Sequence, residues 1–163
     1  MKILLPVLSF LLFPLAGLAS AGAANPAQGK AAAVAVVQKF FNAMVARDGG
    51  GIRETFLPGT QYALGVPTAD GYITKLKTIE TLIAEVQQDP QPWLERVWHP
   101  TVLIEDRIAT VWARYDFHKG SKFSHNGTDC YTLLKTDAGW KIAGLVFTIE
   151  PGGKTENPAG PPR

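Results

Sequence analysis

The chain has 163 residues, with 16 Lys and Arg against 14 Asp and Glu, a formal charge of +2, and 18% charged residues. No stretch concentrates Lys and Arg, which excludes a nucleic-acid surface of the usual kind. Cys130 is the only cysteine, so no intramolecular disulfide can form; a small buried side chain within a strand suits it better than a reactive thiol.

Met1 and Lys2 give a short basic start, residues 3–18 are almost wholly apolar, and Ala19-Ser20-Ala21 supplies a small-residue exit. This order is that of a secretory signal peptide, assigned to residues 1–24. The apolar run, interrupted by Pro6, Ser9, Pro14 and Gly17, is short for a bilayer span. An exported protein, periplasmic or secreted, is therefore expected, touching the membrane only through the cleaved signal. Residues 25–150 remain as one domain, long enough for a real core. Residues 151–163, rich in Pro and Gly without an apolar anchor, form an expected disordered tail.

Along residues 33–48, Val34, Val37, Phe40, Phe41, Met44 and Val45 recur at helical spacing and predict an amphipathic helix with a broad buried face. Gly49-Gly50-Gly51 should stop it. Residues 52–57 read as one or two further helical turns closed by Pro58-Gly59, and residues 61–64 as a short strand. Residues 72–88 read as a second long helix, with Leu76, Ile79, Leu82, Ile83 and Val86 on one face. Asp89-Pro90-Gln91-Pro92 ends it, because proline lacks the amide hydrogen and restricts its predecessor.

From Trp98 to Glu150 the apolar period becomes two, and four strands separated by turns at Asp106-Arg107, Lys119-Gly120-Ser121 and Asp137-Ala138-Gly139 are predicted. A two-residue turn at Asp106-Arg107 pairs Ile104 with Ala109 and Val102 with Val111, joining apolar faces. Ala109, Val111, Ala113, Tyr115 and Phe117 should then line the core, and Trp112, Arg114, Asp116 and His118 the outer face. In the next strand His125, Asp129 and Tyr131 are taken as inward, with a bulge at Gly127 as the device that could reverse them. His99, before Pro100, and His118 are read as surface groups. Trp98, Trp112 and Trp140 sit at strand spacing and read as core or dimer packing.

Three segments carry a resemblance: residues 36–41 (VVQKFF), residues 109–117 (ATVWARYDF) and residues 136–142 (TDAGWKI). With the order helix, short helix, helix, meander, the chain resembles the nuclear-transport-factor-2-like superfamily, closest in texture to its SnoaL-like and lumazine-binding-like bacterial groups. The resemblance implies an α+β fold, a curved antiparallel sheet wrapped around N-terminal helices to make a cone with a pocket, often dimeric through the sheet's outer face. Ketosteroid isomerases, scytalone dehydratase and polyketide cyclases resemble this architecture. The surroundings of Tyr115, His125 and Asp129 do not reproduce their patterns, so no catalytic residue is carried over.

No HxH, HExxH, CxxC, GxSxG or phosphate-cradling loop occurs, so no metal site and no cofactor is expected. Asn126-Gly127-Thr128 matches a glycosylation acceptor pattern, but the Asn-Gly step reads better as a bulge. The candidate catalytic group is His125, Asp129 and Tyr115. Residues i and i+4 of a strand lie about 13 Å apart, so His125 and Asp129 would flank one ligand from opposite ends. The candidate ligand-binding set is Tyr115, Phe117, His125, Asp129 and Tyr131. Three functions follow: a module holding a small apolar molecule, an acid–base isomerase, dehydratase or cyclase, and a dimeric scaffold without ligand. A homodimer is the expected assembly.

Overall fold

The structure is a computed structural model describing residues 26–150 and 157–162; the signal-peptide assignment and residues 151–156 of the expected tail lie outside the described residues. Helix α1 spans Pro26–Ala46, α2 Gly49–Thr55 and α3 Ile79–Gln88. Strands β1 (Gln61–Thr68), β2 (Gly71–Thr78), β3 (Trp93–Glu105), β4 (Ile108–Lys119), β5 (Lys122–Thr136) and β6 (Gly139–Glu150) form one sheet in the order β2-β1-β6-β5-β4-β3. All neighbours are antiparallel except β1 and β6. The mixed sheet is curved and unclosed, so its concave face can wrap the helices while leaving a mouth.

Helix α1 buries Ala33, Val37, Phe40, Phe41 and Met44, most of the stripe that its spacing predicts, whereas Val34 is half-buried and Val45 is exposed. The Phe41 ring meets Tyr131 edge-on at 6.2 Å. The expected stop after α1 is present, with Arg47 at φ 56°. The glycines, however, open α2 rather than forming a loop. Asp48 caps them, its carboxylate accepting the Gly51 amide at 2.9 Å, which satisfies an otherwise unpaired helical donor. Gly49 is needed for closeness, since a Cβ there would lie 2.8 Å from Ile83 on α3.

The expected helix over residues 72–88 is corrected. Residues 72–78 belong to β2, paired along its whole length with β1, and only residues 79–88 are helical. The apparent helical step from Leu76 to Ile79 misleads because Thr78 interrupts it as the N-cap of α3, accepting the Thr81 amide at 3.2 Å. Leu76 is 66% exposed, whereas Ile79, Leu82, Ile83 and Val86 are buried.

The meander agrees with the predicted hairpin: Ile104 faces Ala109 and Val102 faces Val111. It begins earlier than predicted, at Trp93, and His99-Pro100 form a bulge inside β3 rather than an entrance to it. The exposed His99 takes φ 48° there, and Pro100 is accommodated because β3 is an edge strand with a free amide side. Gly127 is not bulged. A Cβ there would fall 1.8 Å from the Thr148 carbonyl oxygen and 2.8 Å from the Tyr115 ring, so glycine serves close approach. The β4–β5 bulge falls instead at Ser124. Asn126, buried to 1%, is no accessible glycosylation acceptor.

Candidate functional site

Alternation along β4 and β5 places Phe117 and Asp129 on the concave face, and both line a cavity of about 570 Å³ between sheet and helices. Its walls are mostly apolar: Phe40 and Met44 from α1, Leu82 from α3, Tyr62 and Leu64 from β1, Trp93 from β3, and Leu145, Phe147 and Ile149 from β6. Volume and lining suit a small organic molecule. The charged groups fall into two sets.

The inner set is a carboxyl pair. Glu95 on β3 and Asp129 on β5 are hydrogen-bonded to each other, and the Tyr131 hydroxyl lies 3.2 Å from both Glu95 Oε1 and Asp129 Oδ2. Burial pushes Glu95 up to about 7, although its bonds to Asp129 and Tyr131 pull the other way. Burial, then the neighbouring Glu95, hold Asp129 well above the carboxylate range. Burial followed by both acids raises the Tyr131 phenol. Two carboxyls this close cannot both ionise in apolar surroundings. Asp129 is therefore held toward its protonated form beside Glu95.

The outer set makes the rim. Lys77 and Glu85 pair at 2.5 Å. Lys119 pairs with Asp89 at 2.5 Å and lies 5.4 Å over the Trp93 ring, whose indole N–H donates to Asp89 at 2.9 Å. These contacts, Lys119 first, hold Asp89 below its ordinary range. His125 also lines the cavity. Its ring stacks on Phe117 at 5.0 Å and Nδ1 lies 3.0 Å from Ser124 Oγ. Burial, then Lys119, lower it to about 4, so the imidazole is neutral near pH 7 and a weak base.

Of the predicted ligand-binding residues, the cavity brings together Phe117, His125 and Asp129, while Tyr131 acts behind Asp129 through its hydroxyl. Tyr115 is corrected. It is inward and buried to 1%, but it lies across Gly127 and donates to the Thr148 carbonyl at 3.0 Å, so its hydroxyl is engaged in the sheet and is not part of the cavity lining. Sequence reasoning misses Glu95, because the alternation it follows begins only at Trp98. The signal lies in Trp93, Glu95 and Val97, which alternate with period two across the unrecognised start of β3. Among the described residues no cluster of three or more His, Cys, Asp or Glu side chains is placed to hold a metal ion.

The outer face is corrected in part. Trp112 is 57% exposed as predicted, but Asp116 and His118 are buried. Arg96, directly opposite Asp116 in the β3–β4 register, makes a two-pronged pair with it and donates to the Gly160 carbonyl at 2.8 Å. His118 Nε2 lies 3.3 Å from Asp116, and Phe123 packs edge-on against its ring. Cys130 is half-buried on the same convex face, not in the core.

No protein-family model matches the sequence, and comparison with curated proteins finds no match. Solved structures do match in fold. An NTF2-like protein of unknown function from Shewanella baltica is 20% identical, with 78% of this chain and 98% of that one covered and a TM-score of 0.58. An NTF2-like protein with a cystatin-like fold from Novosphingobium aromaticivorans is 14% identical, with 79% and 86% covered and a TM-score of 0.63. A dehydratase candidate of the NTF2-like family from Streptomyces avermitilis is 11% identical, with 78% and 100% covered and a TM-score of 0.62. Identities this low speak for the fold, an NTF2-like cone, and for nothing finer.

Proposed function

We propose, from the nuclear-transport-factor-2-like fold, that the cone is a binding pocket for a small, largely apolar molecule with one polar group directed at Glu95 and Asp129. The observation that carries this reading is the apolar cavity of about 570 Å³ with a single hydrogen-bonded carboxyl pair in its wall. Apolar walls supply affinity, and a few placed polar atoms fix orientation. Native mass spectrometry of protein isolated from its own host, with a thermal-shift panel of lipids, terpenoids, steroids and small aromatic amines, tests it. A retained small molecule, or stabilisation by panel members, supports the reading. Isolation empty together with no stabilisation overturns it.

A second reading, acid–base catalysis, is favoured by one observation: Glu95 is raised to about 7, near the value that suits a general acid or base at neutral pH. In that reading Glu95 and Asp129 carry the proton, and the expected trio of His125, Asp129 and Tyr115 is replaced, because Tyr115 is engaged by Thr148. Turnover of an enolisable ketone abolished in Glu95→Gln would support it; equal turnover in Glu95→Gln would sink it.

Assembly and location belong to the same proposal. Trp112, Leu103, Ile108 and Val146 are exposed on the convex face, an apolar patch of the kind that marks an interface, which supports a homodimer. Sedimentation should give a dimer that Trp112→Glu splits; a monomeric parent protein refutes the dimer. Export rests on the pattern of residues 1–24, and Edman sequencing of the mature protein checks it.

A further inference from the structure

The ammonium groups that line the cavity are already paired. Lys77 and Lys119 are the two ammonium groups in its lining, and each is tied to a rim carboxylate, Glu85 or Asp89. The next residue along β3, Arg96, is engaged by Asp116 and Gly160. Among the described residues, the half-buried Glu95 and the buried Asp129 have no cationic partner, although carboxylates withdrawn from water ordinarily find one. Their donors are also occupied. The Tyr131 hydroxyl is directed at the two carboxyls, and the Tyr115 hydroxyl at the Thr148 carbonyl. In the singly protonated pair, the lone pairs of Glu95 and Asp129 remain for a ligand, so the inner site offers acceptors and negative charge rather than donors.

We propose that the polar group the pocket takes is a protonated amine: the ligand is an amphiphilic cation whose ammonium donates to Glu95 and Asp129 while its apolar body fills the aromatic cavity. This rests on the pocket reading above and assigns its ligand class. The walls agree with it. Tyr62 and Phe147 stack at 6.0 Å and line the cavity together with Phe117, so aromatic rings as well as carboxylates are present to receive a cation. A carboxylate ligand would add a negative charge beside the pair without a free cation to receive it. A neutral carbonyl would find no unengaged donor on the singly protonated pair.

The test uses matched probes on the full-length mature protein by isothermal titration calorimetry. Octyl, phenylbutyl and naphthylethyl bodies are each carried with an amine, an alcohol and a carboxylate end. Amines should bind roughly ten- to a hundredfold tighter than the alcohols, the span of a charge-assisted hydrogen bond, and carboxylates weakest. Glu95→Gln should remove most of that preference, bringing the amine-to-alcohol affinity ratio measured within the variant to about threefold or less, allowing for the context dependence of such interactions. Should that variant fail to fold, the parent protein at pH 8 and pH 6 separates the same outcomes. The groups acting on the pair are each other, Tyr131, Tyr115, Cys130 and Asp116, the last held by Arg96, with His125 elsewhere in the same cavity wall; of these, Glu95 titrates about pH 7. Amine affinity should drop about tenfold at the lower pH and alcohol affinity should hold. Alcohols binding as tightly as amines, or amine affinity unchanged in Glu95→Gln and with pH, overturns the amine assignment and leaves the pocket reading intact. No binding by any probe of any body overturns both.

Discussion

The two ends of the concave sheet are built from the same strands and obey the same alternation, yet one end is filled and the other hollow. At the filled end Val111, Tyr131, Leu133 and Ile142 are all fully buried, packed with Phe41 and Ile52 in the core cluster. Toward the other end Phe117, Asp129 and Phe147 continue the inward positions, and the space above them is a cavity. What differs is the helical layer. Phe41 of α1 and Ile52 of α2 close the filled end, whereas the hollow end, touched by Phe40 and Met44 of α1, is roofed mainly by α3 and the hairpin of β1 and β2, whose contributions to the cavity, such as Lys77 and Glu85, remain partly exposed. Strand periodicity thus says which side chains point inward; whether they meet a partner or a void depends on what another element brings.

The comparison breaks most severely by truncation. Leu133→Ala at the filled end should cost about 2–5 kcal/mol, because it opens a new cavity in close-packed surroundings. Ile149→Ala, at the edge of the existing cavity, should cost less than about 2 kcal/mol, since the removed atoms already faced space on one side. Urea denaturation of both variants measures the difference, and equal losses would mean that the hollow end is as tightly supported as the filled one.

The carboxyl pair sharpens the contrast. Glu95 binds its proton more tightly in the folded chain, about 7 against 4.5, so the folded state holds more protons between those values. Stability should then fall as pH rises from about 4.5 to 7 on account of this group. Glu95→Gln removes that loss and keeps an acceptor for Tyr131 and Asp129. At pH 8 it should be more stable than the parent by on the order of 1–2 kcal/mol, with the gain disappearing near pH 4. Thermal melts across pH 4–8 give the answer; a variant less stable than the parent at pH 8 would show that the charge is compensated.

His125 acts in the opposite sense. Its folded value near 4 lies below the ordinary 6.5, so the unfolded chain binds the extra proton and stability is lost as pH falls through that window. His125→Gln should flatten the acid limb by on the order of 1 kcal/mol between pH 6.5 and 4, the smallest of the three effects. An unchanged acid limb would mean that the ring gains solvent on protonation.

The sequence by itself determined the meander, its first hairpin register, the buried stripe of α1 and the inward run of β4, because each of these is a periodic pattern read within one element. Residue 72 onward shows the limit of that reading: Leu76 and Ile79 have helical spacing, yet β1 claims the backbone of residues 72–78 by pairing with it, and no local pattern reports an incoming strand. The site was half legible. His125, Phe117, Asp129 and Tyr131 followed from alternation, but Glu95 required knowing that β3 starts before a proline bulge. That Tyr115 lies across Gly127 to Thr148 depended on β6 approaching β5 closely. Only the tertiary structure decided that two acids from different strands meet without a cation, because the free energy of a buried charge is set by neighbours distant in the chain and not by its own position along it.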